Sequence, residues 1–241
     1  MHPQHNHVPR LMQMLKANAD KPKLFKVENL ADESTIYLYD AIDSFFGINA
    51  QEFSQELAAI KSPTINLRIN SPGGDVFDAR AIATAINNHP SNIIAHIDGL
   101  AASAATTIAI AADEVRISDG GFFMIHNAWS LAFGGGDDFR AMAGLLDKID
   151  VAIANDYAKK TGKSADEISA WMAAETWFTA QEALDNNFVD SITPGVKAKN
   201  NWDLAAYLNA PKALTEPPPA ADDDQRNVLE RRLRLLSKIA A

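Results

Sequence analysis

The chain contains no cysteine. Disulfides, thiolate nucleophiles and cysteine-held metals are therefore excluded. No apolar run approaches the length needed to span a bilayer. The first residues, MHPQHNHVPR, lack the basic start and apolar stretch of a secretory signal, so a soluble, cytoplasmic protein is expected. Cations are in deficit, with 22 Lys and Arg against 31 Asp and Glu and a formal net charge of −9. That balance argues against a general nucleic-acid binder, which needs clustered cations for phosphates. What is present is ordinary for a folded domain: 47% hydrophobic and 22% charged residues in a chain of 241. One large domain, or one domain with tails, follows.

Hydrophobic spacing alternates between the strand and helix periods from residue 34 onward. TIYLYD, TINLRIN and NIIAHID predict strands, and EVRIS and GFFMIHN predict shorter ones. INAQEFSQELAAI predicts a helix started near Asn49, and DVFDARAIATAINN a helix that stops before His89–Pro90. A small-residue helix is expected after Gly99, and one long helix over 137–160, after the glycines of AFGGGDDF. Shorter helices are expected around SADEISAWM and AQEALDNN, then a last strand near FVDSI. Strands alternating with helices call for a parallel sheet with right-handed crossovers, an α/β fold. Residues 1–30 read as a flexible arm, 31–196 as the folded domain and 197–225 as a linker, proline-rich and acidic at its end. Residues 226–241 predict an amphipathic helix, with Leu229, Leu233 and Leu236 on one stripe.

Three places carry candidate chemistry. Ser103, in IIAHIDGLAASAATTIAIAADEV, stands where an apolar strand hands over to a helix. A serine there is either an N-cap or a nucleophile held where backbone N–H groups favour negative charge. SPGGD, residues 71–75, joins a strand to a helix; paired glycines either make a turn or leave amides bare for an oxyanion. It is neither a P-loop nor GxGxxG, and GLAAS is not the GxSxG elbow. A serine nucleophile also needs a base. His2, His5 and His7 lie in the arm and His89 in a turn, which leaves His96 and His126. His126 follows an apolar run and precedes a loop, a place from which a strand presents a side chain to a cleft. Acidic residues are too numerous for spacing alone to choose the third member of a triad.

Taken together, SPGG, GLAASAA, MIHN and ETWFTAQEAL followed by FVDSI resemble the Clp-type serine protease family over residues 34–193. Within it, the chain most resembles the ClpP-like head-maturation proteases of tailed phages. The resemblance implies a ClpP/crotonase-type fold of stacked β-β-α units with a projecting handle helix, and a homo-oligomeric ring built through that handle. It implies Ser103 as nucleophile, His126 as general base and Glu175 as the acid, with the amides of Gly74 and Ala104 as oxyanion hole. Cellular Clp peptidases usually carry Asp at the third position, and Asp150, Asp156 or Asp185 are the substitutes to consider.

The activity implied is ATP-independent serine endopeptidase cleavage of capsid or scaffold proteins, with head or portal components as possible partners. Cofactor, metal, nucleic acid and membrane have no part in it. The alternative is a cellular-type Clp proteolytic subunit fed by an ATP-dependent unfoldase. ENLADESTIYLYDAIDSFFGINAQEF differs from the axial-loop segment of those enzymes. A crotonase-like acyl-CoA enzyme, a Ser–Lys peptidase and an inactive scaffold rank lower. The first does not need a Ser103–His126 pair, no lysine stands in a motif, and every family motif is intact.

Overall fold

In the computed structural model the described residues are 18, 24–44, 47–195, 202–204 and 206–215. The amphipathic helix expected over 226–241 and most of the expected arm lie outside them. Among the described residues eight strands form one sheet: β1 (Leu24–Glu28), β2 (Glu33–Tyr39), β3 (Thr64–Ser71), β4 (Asn92–Ala102), β5 (Glu114–Ser118), β6 (Phe122–Ile125), β7 (Thr176–Thr179) and β8 (Ser191–Thr193). The main path runs β1-β2-β3-β4-β5-β8, parallel from β2 to β8. Two pairs are antiparallel, β1 with β2 and β6 with β7.

Helices α1 (Ala50–Ala59), α2 (Val76–Asn87), α3 (Ala104–Ala109), α4 (Gly136–Thr161), α5 (Ala165–Ala173), α6 (Ala180–Asp185) and α7 (Lys212–Thr215) connect or follow the strands. Their starts are written in side chains. Asn49 accepts the Glu52 amide, and Asp75 accepts those of Phe77 and Asp78, so each satisfies donors the helix leaves open.

Period-two alternation places Ile36, Leu38, Ile65, Leu67, Ile69, Ile93, Ala95 and Ile97 inside, where Ala79, Ile82 and Ile86 of α2 cover them. Burying each large aliphatic side chain contributes about 1.5–3 kcal/mol, and this cluster sets the strand register. The opposite side chains form a polar face. There Arg68 pairs with Asp98 at 2.9 Å, and His96 Nε2 meets Asn66 Oδ1 at 2.9 Å.

Three expectations need correction. The arm expected over 1–30 includes β1: LFKVE alternates, and Phe25 and Val27 pack on the core while the backbone pairs with β2. β4 continues through Gly99 to Ala102, because it forks: Ile94–Ile97 pair with β5, whereas Leu100–Ala102 pair with Phe122–Met124 of β6. The linker expected over 197–225 is not free along its middle. Trp202 and Leu204 are buried against Leu100, Ala102 and Met124, with Tyr207, Ala210 and Leu214 alongside. Its apolar residues outweigh its loop-like composition.

The long helix lies where expected. Asp138 accepts the Gly135 amide at its start, and Gly162 closes its end at φ +73°. Residues 136–152 include no buried side chain, while Ile153, Ala154 and Tyr157 anchor the other end. The helix projects.

Candidate active site

The fork in β4 delivers Ser103. Its amide donates to the Met124 carbonyl of β6 at 2.9 Å, and its carbonyl accepts the Thr106 amide at 2.9 Å. Between those anchors the residue sits at φ +54°, ψ −126°, a region a non-glycine residue adopts only under constraint. As the residue before α3 it makes no side-chain cap. Its Oγ instead lies 2.7 Å from His126 Nε2. The capping reading fails, and the hydroxyl serves the imidazole.

His126 follows the buried β6 directly, so three apolar side chains, Phe123, Met124 and Ile125, fix its Cα. Burial lowers its pKa to about 4, so the ring is neutral at neutral pH and its Nε2 can accept a proton. Gly73, at φ +89°, lies against the serine: a Cβ there would fall 2.8 Å from Ser103 Cβ and 2.5 Å from the Ala102 carbonyl. Gly74 is gripped from the other side. Ile42 donates to the Gly73 carbonyl at 3.0 Å and accepts the Asp75 amide at 2.7 Å. Thus SPGG is held close to Ser103 and Ala104, with glycine required where the backbones meet.

The acids separate. Glu175, also at positive φ (+49°), turns its carboxylate to the amides of Leu208 (3.0 Å) and Asn209 (2.7 Å) and to Trp177 Nε1 (3.3 Å). Among the described residues no hydrogen bond joins it to His126, although both line one cavity of about 320 Å³. Asp150 accepts the Ala128 amide at 2.7 Å, two residues past the histidine, and burial raises its pKa. Asp156 pairs with Arg80 at 3.0 Å, and Asp185 accepts from Gln181. Of the four acids, Glu175 and Asp150 border the histidine's surroundings, and neither contacts its ring by a hydrogen bond. His96 lies on the polar face of the sheet, away from Ser103.

Tyr207 is the residue that sequence reasoning missed. Its ring meets His126 edge-on at 5.5 Å between centroids, and its hydroxyl donates to the Pro72 carbonyl at 2.5 Å. Burial raises its pKa, as does the Glu175 charge, while the Ser103 hydroxyl is close enough to offset part of that rise. The signal was available: WDLAAYLNA carries too many apolar residues for a solvated linker.

A second cleft of about 320 Å³ opens beside the pair, lined by Gly73, Gly74, Ser103, His126, Trp129 and Tyr207 among others. A smaller pit next to Ser103 is walled by Val76, Ala104, Thr107, Ile153 and Tyr157. Among the described residues no group of three His, Asp or Glu is placed to hold a metal ion, and no helix is long and apolar enough to cross a membrane. A half-buried hydroxyl on a neutral imidazole beside bare glycine backbone can carry out acyl transfer.

The Clp protease family model matches residues 19–195. The ATP-dependent Clp protease proteolytic subunit 1 of Leifsonia xyli is 31% identical over 150 residues, 60% of this chain and 76% of that protein. Subunit 2 of Tropheryma whipplei is 26% identical over 171 residues, 68% of this chain and 93% of that protein. A mutant ClpP1 from Listeria monocytogenes superposes with a TM-score of 0.60 at 21% identity, covering 76% of this chain and 95% of the other, which shows the ClpP-like α/β fold. With the family match extending over β1 to β8, the chain belongs to the Clp protease family.

Proposed function

We propose that the chain is a serine peptidase in which Ser103 is the nucleophile and His126 the general base. The 2.7 Å contact between Ser103 Oγ and a neutral His126 Nε2 carries this reading. His126 takes the Oγ proton as the oxygen attacks a peptide carbonyl. The tetrahedral oxyanion is stabilised by the amides of Gly74 and Ala104, each worth about 2.7–4 kcal/mol by analogy with other oxyanion holes. Collapse passes the proton to the leaving amine, and water, deprotonated by the same histidine, frees the acyl group. Glu175 is the acid, once its carboxylate turns to the ring. Labelling by a fluorophosphonate, with the adduct mapped to Ser103 by mass spectrometry and absent from Ser103→Ala, tests the assignment. An adduct elsewhere overturns it.

For biological setting, the relatives named above favour a Clp-type proteolytic subunit working with an ATP-dependent partner over head maturation, which rests on the sequence resemblance alone. Degradation of a folded protein only when a Clp-family ATPase and ATP are added supports the first. Equal degradation without them removes it. A ring assembled through α4 accompanies either setting, and Phe139, Leu145 and Val151, exposed on that helix, suit it.

A further inference from the structure

We infer that residues 202–204 and 206–215 form an autoinhibitory strap: Tyr207 narrows the Ser103–His126 cleft while the backbone behind it holds Glu175 away from the histidine. The inference rests on the peptidase reading above and adds a closed state to it.

Four sets of contacts, on different parts of the fold, hold the segment. Trp202 and Leu204 enter the second apolar cluster, on Leu100, Ala102 and Met124. Asn18 clasps Asp203 twice, accepting its amide at 2.8 Å and donating to its carbonyl at 3.0 Å. Tyr207 donates to Pro72 and also stands edge-on to the Trp177 ring at 5.6 Å. Glu175 accepts the Leu208 and Asn209 amides, and the Asn209 side chain donates to the Ala174 carbonyl at 2.8 Å.

Two of these contacts are on the residues the reaction needs. The Pro72 carbonyl immediately precedes the glycines that lie against Ser103, so the tyrosine hydroxyl occupies a backbone group at the edge of the substrate cleft. Its ring covers one side of His126. Glu175 is the other. A carboxylate that accepts two amides and an indole N–H has three of its roughly four acceptor sites engaged, and here its orientation is set by the strap rather than by the imidazole. Removing the strap frees the carboxylate and opens the cavity that it shares with His126. Narrowing the cleft and disabling the acid are thus one event.

The strap is built to leave. Leu208 is 44% exposed, and most residues from 206 to 215 face solvent in part. Its hydrogen bonds each contribute only about 0.5–1.5 kcal/mol net. An extended polypeptide entering the cleft competes for the Pro72 carbonyl, so substrate itself is the ligand that selects the open state.

The test compares the full chain, a chain ended after Gly195, Tyr207→Ala and Asn18→Ala. The readouts are the rate of fluorophosphonate labelling, hydrolysis of a short peptide and thermal unfolding. A closed fraction above about nine-tenths makes labelling at least about ten-fold faster in the shortened chain and in Tyr207→Ala, with Asn18→Ala between them and the full chain. Glu175→Gln then slows peptide hydrolysis by a larger factor in the shortened chain than in the full one. Equal or slower labelling in the folded shortened chain and in Tyr207→Ala overturns the strap and makes the segment a wall of the site. Should the shortened chain fail to fold, Tyr207→Ala and Asn18→Ala decide alone. If every folded form, open or closed, leaves Ser103 unlabelled, the peptidase reading itself falls and takes the strap with it.

Discussion

At the scale of single residues, the site depends on backbone conformations that sequence rarely announces. Ser103 and Glu175 both adopt positive φ, which costs on the order of 1–3 kcal/mol each, and neither is the glycine that would relieve it. Ser103→Ala keeps a Cβ, so it should leave the melting temperature within a few degrees while turnover falls by at least about 10³-fold. Gly73→Ala should destabilise the chain and abolish labelling, because the new methyl meets the Ala102 carbonyl at 2.5 Å. Far-UV circular dichroism with a melting curve checks both. The depressed pKa of His126 sets a pH dependence. The folded value of about 4 lies below the ordinary 6.5, so the unfolded chain takes up a proton first as pH falls. Stability contributed by the neutral ring is present above 6.5 and is lost as pH drops from there towards 4. The acid limb of kcat/KM should fall well below pH 6. A limb at 6.5 or above in the full chain would show the ring paired with a carboxylate rather than merely buried.

At the scale of elements, what periodicity could carry, it carried. The alternation of TINLRIN and the spacing of DVFDARAIATAINN are consequences of burying one face, so β3 and α2 are legible from their residues. The fork of β4 was not, because Leu100–Ala102 leave one neighbour strand for another and no local spacing records a partner. The strand Leu24–Glu28 was missed for a related reason: at an edge, half its pattern faces water. Ser103 and His126 were legible as a pair through motif order, whereas the orientation of Glu175 depends on amides 33 and 34 residues away. The pit between α2, α3 and α4 gives an expectation about substrate. Tyr157, hydrogen-bonded to Thr106 at 2.5 Å, closes its floor, and Val76 and Ile153 narrow its walls. Peptides with Ala before the scissile bond should be cut at least about ten-fold faster than those with Phe, and Tyr157→Ala should narrow that preference, read from kcat/KM on a matched peptide pair.

At the scale of the whole molecule, one apolar core under the sheet carries most of the stability, and Ile97→Ala within it should cost about 2–5 kcal/mol by denaturant titration. The exposed apolar side chains of α4 are assigned to association by the proposal above. Leu145→Asp with Val151→Asp should leave the subunit folded and reduce its sedimentation coefficient to that of a smaller species; an unchanged coefficient would remove α4 from the interface. The Asn18–Asp203 clasp joins positions 185 residues apart. On the ribosome, every residue from Ser103 to the last strand emerges before Asp203 does. At about 5–20 residues per second, the interval from residue 193 to residue 215 is on the order of one to several seconds. A newborn chain therefore has a brief youth in which its sheet can close before its restraint has been synthesised.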